Sequence, residues 1–149
     1  DIVGSELTTE HVSDETALPD LVEGIDVDVD RFLADGAYDG HGVSACLTAK
    51  FGRDIEIIIP PPKNAVIGGN SQRNRHIVHI ARQGRMNWQK EKGYNQRSLI
   101  EAQIGRWKTT IGGSLQARKI DNQITETRVS AKALNRMTAL GKAQFERVT

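Results

Sequence analysis

The sequence predicts an α/β domain, and three observations predict it. Two short apolar runs end abruptly, one in an acid–glycine step and one in a run of prolines, as buried strands do. Apolar residues at helical spacing lie between and after those runs. A chain of 149 residues with 38% hydrophobic content suits one compact domain, and 14 Gly with 4 Pro exclude a collagen-like or low-complexity chain.

Each element follows from its residues. Ile2 to Leu7 reads as the tail of a strand cut at its beginning, with its partner strands missing. Ser13, Asp14 and Thr16 offer helix caps, and Leu18, Leu21, Val22 and Ile25 make the stripe of a short helix with Pro19 in its first turn. Arg31 to Ala34 reads as a buried strand broken at Asp35 and Gly36, which leaves a carboxylate at its C-terminal edge, where α/β sheets place chemistry. Val43, Cys46, Leu47 and Lys50 suggest a second helix. Asp54 to Ile59 is an isoleucine-rich strand that Pro60 to Pro62 stop, since proline donates no ladder hydrogen bond. Lys63 to Gly93, punctuated by Gly68, Gly69, Gly84 and Gly93, reads as a basic, partly mobile insertion with one helical turn at Ile77, Ile80 and Ala81. Tyr94 to about Ile111 and Asp121 to about Ala139 are helical, the second stopped by Gly141. The order is strand, helix, strand, helix, strand, insertion, helix, helix, without an internal repeat.

Several functions are excluded. No apolar run approaches the roughly 20 residues of a membrane span and no signal segment opens the chain, so no membrane partner is expected. One cysteine, Cys46, forbids an intramolecular disulfide, makes a cysteine-built metal site improbable and fits a reducing cytosol. The first residue is Asp1, so the chain reads as a fragment whose natural start lies upstream.

The net charge of +1 hides a segregation of sign. Residues 1–62 carry 14 acidic side chains against Arg31, Lys50 and Arg53, whereas residues 63–149 carry 17 basic ones against 5 acidic. Such asymmetry suits a polyanion, usually nucleic acid, on the basic part and cation-binding carboxylates on the acidic part; mutual neutralisation within the fold is the plainer alternative.

Along a helix starting at Tyr94, an advance of roughly 100° per residue brings Tyr94, Arg97, Glu101 and Lys108 within an arc of about 60°. Beside them Ile100, Ile104, Trp107 and Ile111 form an apolar stripe expected to pack on the sheet. On spacing alone the polar row reads first as an ordinary solvated face with an Arg97–Glu101 ion pair. With Asp35 at a strand end it gains a second meaning. Carboxylates from two elements that converge on hard cations are what two-metal phosphoryl transfer requires, and Arg97 and Lys108 would hold the nucleic-acid strand.

These residues resemble the bacterial insertion-sequence transposases of the DDE class. Tyr94, Arg97, Glu101 and Lys108 reproduce that family's YxxRxxxExxxxxxK signature without a gap, and Ala34 to Asp39, ADGAYD, resembles its second-aspartate motif. Ile57 to Lys63, IIIPPPK, is similar to the family's segment after the following strand, and the resemblance spans nearly the whole chain. It implies a ribonuclease H-like core, N-terminally truncated and closed by C-terminal helices. It also implies two Mg²⁺ ions, with Mn²⁺ as a substitute, and cleavage and joining of DNA at transposon ends and target. A homodimer of the complete protein and a bacterial cytoplasmic, nucleoid-associated location are implied too. By that likeness Asp35 is the second acid and Glu101 the third, and both are metal ligands; Tyr94, Arg97 and Lys108 face or support DNA. The family's first aspartate has no counterpart here, so this chain alone is expected not to transpose DNA. The rival readings are a non-catalytic DNA-binding or self-associating remnant of a decayed element, and a ribonuclease H-like nuclease or resolvase without strand transfer.

Other features are weaker. Asp26, Asp28 and Asp30 imitate a calcium loop, but Arg31 and Ala37 stand where glycine and glutamate are needed. His76 and His79 read as a surface pair near bound DNA, and Gly68-Gly69 as a turn. Arg128, Lys132 and Arg136 make a basic stripe that is either a phosphate-contacting face or simply an exposed one. Arg73, Arg75, Arg82 and Arg85, with Lys90 and Lys92, are better DNA-binding candidates. Trp88 among them stacks on an unpaired base or anchors the insertion.

Overall fold

A computed structural model describes residues 1–9 and 11–141. The chain divides into two compact units, Thr8–Gln103 and a second made of Asp1–Leu7 with the described residues from Ile104 onward.

In the first unit, helix α1 (Asp14–Glu23) begins at Ser13, whose hydroxyl accepts the Thr16 N–H. Pro19 lies in its second turn, not its first; the ring is exposed, so water can satisfy the Glu15 carbonyl that a proline leaves without a partner. Strands β1 (Arg31–Leu33) and β2 (Glu56–Ile58) pair in parallel with Phe32 opposite Ile57, and helix α2 (His41–Phe51) makes the crossover between them. Leu18 and Val22 of α1 and Val43 and Leu47 of α2 meet Ala34, Ile55, Ile57 and Ile59 in one core, the last three on one face by the strand's two-residue alternation.

The described residues are thus helix-rich with a two-stranded sheet, and the third expected strand is absent. Ile2 to Leu7 has no strand neighbour to satisfy its backbone. Within the second unit the Asn135 amide does so instead, accepting the Ile2 N–H and donating to the Ile2 carbonyl, both at 2.8 Å.

The segment from Lys63 to Gly93 also departs from expectation. It folds into helices α3 (Ser71–Gln83) and α4 (Arg85–Glu91), joined at Gly84, whose φ of +83° favours glycine. Asn70 caps α3 through the Arg73 N–H and donates to Ser44 on α2. Helix α3 docks on the edge of β2 that β1 does not use. Gln72 accepts the Ile57 N–H at 3.0 Å and donates to the Ile55 carbonyl at 2.8 Å, while His76 Nε2 lies 2.9 Å from the Ile57 carbonyl. Two side chains one turn apart therefore replace a neighbouring strand and cover an edge that would otherwise be open.

Trp88 completes this network by donating from its indole to His76 Nδ1 at 2.9 Å. An indole N–H only donates and a carbonyl only accepts, so His76 is neutral with its proton on Nε2. Burial pushes its pKa down, and the bond to Ile57 opposes that less strongly. Below the ordinary value of 6.5 the unfolded chain binds a proton that the folded one refuses. Stability is therefore expected to fall as pH drops from 6.5 to the folded pKa, with a slope of at most about 1.4 kcal/mol per pH unit. Urea midpoints between pH 7 and 5 check this, and His76→Gln, which keeps a donor and an acceptor, should flatten the profile. Glu56, held below the usual carboxylate range by Lys92 and Arg31 against the effect of burial, acts only in a lower window, below 4.5.

The helical stretch from Tyr94 begins as a 3-10 turn (Tyr94–Arg97) and continues as α5 (Ser98–Thr110). Of its apolar stripe, Ile100 in the first unit is 50% exposed, while in the second unit Ile104 and Ile111 are 51% and 37% exposed and Trp107 is half-buried. Within the first unit α1 and α2 take the sheet face that bears Ile55, Ile57 and Ile59, and α3 takes the free edge of β2.

In the second unit α6 (Ile120–Ala139) buries Ser130, Ala131 and Leu134, and the chain leaves it at Gly141, φ +83°. Arg106 donates to the Leu134 carbonyl and the Thr138 hydroxyl. Glu126 accepts the Gln116 and Ala117 N–H groups, which lower its pKa. Among the described residues no helix is long and apolar enough to cross a membrane.

Candidate active site

Asp35 follows β1 after one residue and caps the 3-10 turn Gly36–Tyr38, its Oδ1 accepting the Ala37 N–H at 3.0 Å. That bond orients the carboxylate. Its Oδ2 accepts from Arg97 Nη2 at 3.1 Å, and Arg97 Nη1 donates to Glu101 Oε1 at 3.1 Å. One guanidinium thus joins the two acids, whose oxygens lie no more than about 9 Å apart, two hydrogen bonds plus the width of the planar fork. The site is open to water: the side chains of Asp35, Arg97 and Glu101 are 45%, 31% and 66% exposed.

The buried network behind the site positions it. Tyr94 packs on Trp88 with ring centroids 5.5 Å apart, and burial raises its phenol pKa. Gly93 turns the chain out of α4 at φ +64°, and Arg31 on β1 donates to the preceding Lys92 carbonyl at 2.6 Å. The row Tyr94, Arg97, Glu101, Lys108 is therefore not one straight α-helical face, because a 3-10 turn carries three residues per turn where an α-helix carries 3.6. Lys108 is exposed on the part of α5 that belongs to the second unit.

The two halves of the charge pattern partly neutralise each other. Asp39 receives Arg73 at 2.8 Å, Glu56 receives Lys92 at 3.0 Å, and Asp35 receives Arg97. Arg73 also donates to the Val66 carbonyl, and Arg85 to the Pro61 carbonyl at 2.6 Å. Arg75 and Arg82 stay exposed on α3 beside an open hollow lined by Asn74, Val78, His79 and Gln83, and neither forms an ion pair among the described residues.

Two expectations are corrected here. His76 is 5% exposed and cannot belong to a surface pair; His79 lies 3.3 Å from Glu91, outside hydrogen-bond geometry. Trp88 is fully buried, so it anchors α3 and α4 and cannot stack on an unpaired base. Asp26, Asp28 and Asp30 are solvated. Asp39, Gln72 and Asn70 escaped notice as structural residues; the cap Asn70 and the polar pair Gln72 and His76 at i, i+4 were the readable signals.

Among the described residues no group of three or more His, Cys, Asp or Glu side chains is placed to hold a metal ion. Asp35 and Glu101 carry carboxylate oxygens of the hard type that Mg²⁺ takes alongside waters and substrate phosphates, so these two residues could hold such an ion, and in this structure the Arg97 guanidinium lies between them. No solved structure matches the chain. The model of one family, the transposase DDE domain, matches residues 1–136, and the chain belongs to that family.

Proposed function

We propose that residues 1–149 carry two acids of a DNA-transposing active site on a ribonuclease H-like core, with Asp35 and Glu101 as the metal-holding carboxylates. The observation that carries this reading is the pair of hydrogen bonds through which Arg97 joins a strand-end acid to a helix-borne one. A bound divalent ion there would supply Lewis-acid activation of a DNA phosphate. The chain's own residues orient the ligands: Ala37 N–H fixes Asp35, and the Tyr94–Arg97 turn, stacked on Trp88, carries Glu101 toward it.

Arg75 and Arg82 are the DNA contacts of α3, since Arg73 and Arg85 are bound to internal partners. The two are seven residues apart, about 10 Å along the helix, a reach that suits successive phosphates. Exposed Lys108 carries the same expectation on the second unit.

With two acids and not three gathered among the described residues, the 149-residue chain by itself is expected to leave supercoiled donor DNA uncut in Mg²⁺ or Mn²⁺. Nicked or linear product would overturn the two-acid reading. DNA affinity should fall steeply with salt, and Arg75→Ala with Arg82→Ala should reduce the log–log slope by about 1.8, the loss of two phosphate contacts. A flat salt response would remove the DNA interface.

A further inference from the structure

We propose that Arg97 is a resident cation: it holds Asp35 and Glu101 together before a divalent ion arrives, and the ion displaces it from both carboxylates. The inference rests on the reading of Asp35 and Glu101 as ligands and adds how the site is loaded. Two carboxylates this close repel each other when no cation lies between them. Among the described residues Arg97 is the cation paired with either acid, and it reaches both at once through separate nitrogens.

The same bonds are built to exchange. Both measure 3.1 Å, longer than the 2.7–2.9 Å usual between charged partners, and both are open to solvent, where such pairs hold weakly. Arg97 ends a short 3-10 turn and does not sit in the core, so its side chain can swing without disturbing the sheet. A divalent ion offers the two acids more charge at shorter range than one shared guanidinium. Once released, the planar fork is free for a phosphate, which it matches with two parallel hydrogen bonds. Ion entry and phosphate capture are then linked, and each favours the other to the same degree.

The test is the dissociation constant for Mn²⁺, read from the free-ion electron paramagnetic resonance signal on the full 149-residue chain, with circular dichroism confirming that each variant is folded. Arg97→Gln is expected to bind Mn²⁺ about 3- to 10-fold more tightly than wild type, the release of a competing exposed ion pair. Arg97→Lys keeps the charge but reaches one acid at a time, and should tighten binding by a smaller factor. If only Arg97→Gln tightens and Arg97→Lys equals wild type, simple charge repulsion explains the effect and the displacement is overturned. Unchanged, weaker or undetectable Mn²⁺ binding by Arg97→Gln also overturns it. Asp35→Asn and Glu101→Gln separate the two levels of the claim. Both should weaken Mn²⁺ binding; if neither does, the ligand assignment itself fails, and displacement fails with it.

Discussion

Trp88→Ala is expected to destabilise the first unit by about 3–5 kcal/mol, the cost of emptying a large core site. Trp88 is fully buried, bonds His76 through its indole and supports Tyr94 through its ring. Removing it opens a cavity, leaves His76 Nδ1 without its donor and frees the turn that presents Arg97. Trp88→Phe separates these effects: most of the ring bulk remains, and the expected cost drops to about 1–3 kcal/mol for the unsatisfied histidine nitrogen. Urea unfolding followed by circular dichroism measures both. A Trp88→Ala chain as stable as wild type would show that α3 and α4 are held by something other than this anchor.

Gln72→Ala should cost about 1–3 kcal/mol for each buried backbone group it strips, the Ile57 N–H and the Ile55 carbonyl. Ile55 and Ile57 are 2% and 8% exposed, so water cannot readily replace the amide. The sharper readout is amide hydrogen exchange at Ile57, whose protection should fall by more than the global loss of stability explains. Gln72→Glu keeps the acceptor for Ile57 but turns a donor toward the Ile55 carbonyl into a second acceptor, so at neutral pH it should be no better than alanine. An Ile57 amide that stays protected in Gln72→Ala would mean that α3 does not complete the strand edge.

These expectations explain which parts of the fold could be read in advance. Helices α1, α2 and α6 and strands β1 and β2 bury apolar faces, and their periodicity shows in Leu18 and Val22, Val43 and Leu47, Ile57 and Ile59. Helix α3 was legible only as a turn because its inward residues, Gln72 and His76, are polar. A helix that docks on a strand edge must satisfy backbone groups, so its buried face carries donors and acceptors instead of an apolar stripe. The stripe on α5 misled in the opposite way. Ile100, Ile104 and Ile111 have the spacing of a buried face and remain exposed, because spacing reports which side is apolar and nothing about what covers it.

The site divides along the same line. Arg97 and Glu101 are four residues apart on one stretch of chain, so their pairing follows from helical geometry and was visible in one dimension. The bond from Arg97 to Asp35 joins residues far apart in the chain and depends on tertiary packing, with Tyr94 set on Trp88 and the Lys92 carbonyl tied to Arg31 of β1. Residue chemistry, the family motif, the segregation of charge and the acid at the end of β1 were determined by the sequence itself, since each is local. Packing alone decided which cations are engaged and which stay free. Arg73 and Arg75 stand two positions apart with the same side chain, yet Asp39 takes the first and water keeps the second, because direction on a docked helix is settled by the surface it docks against.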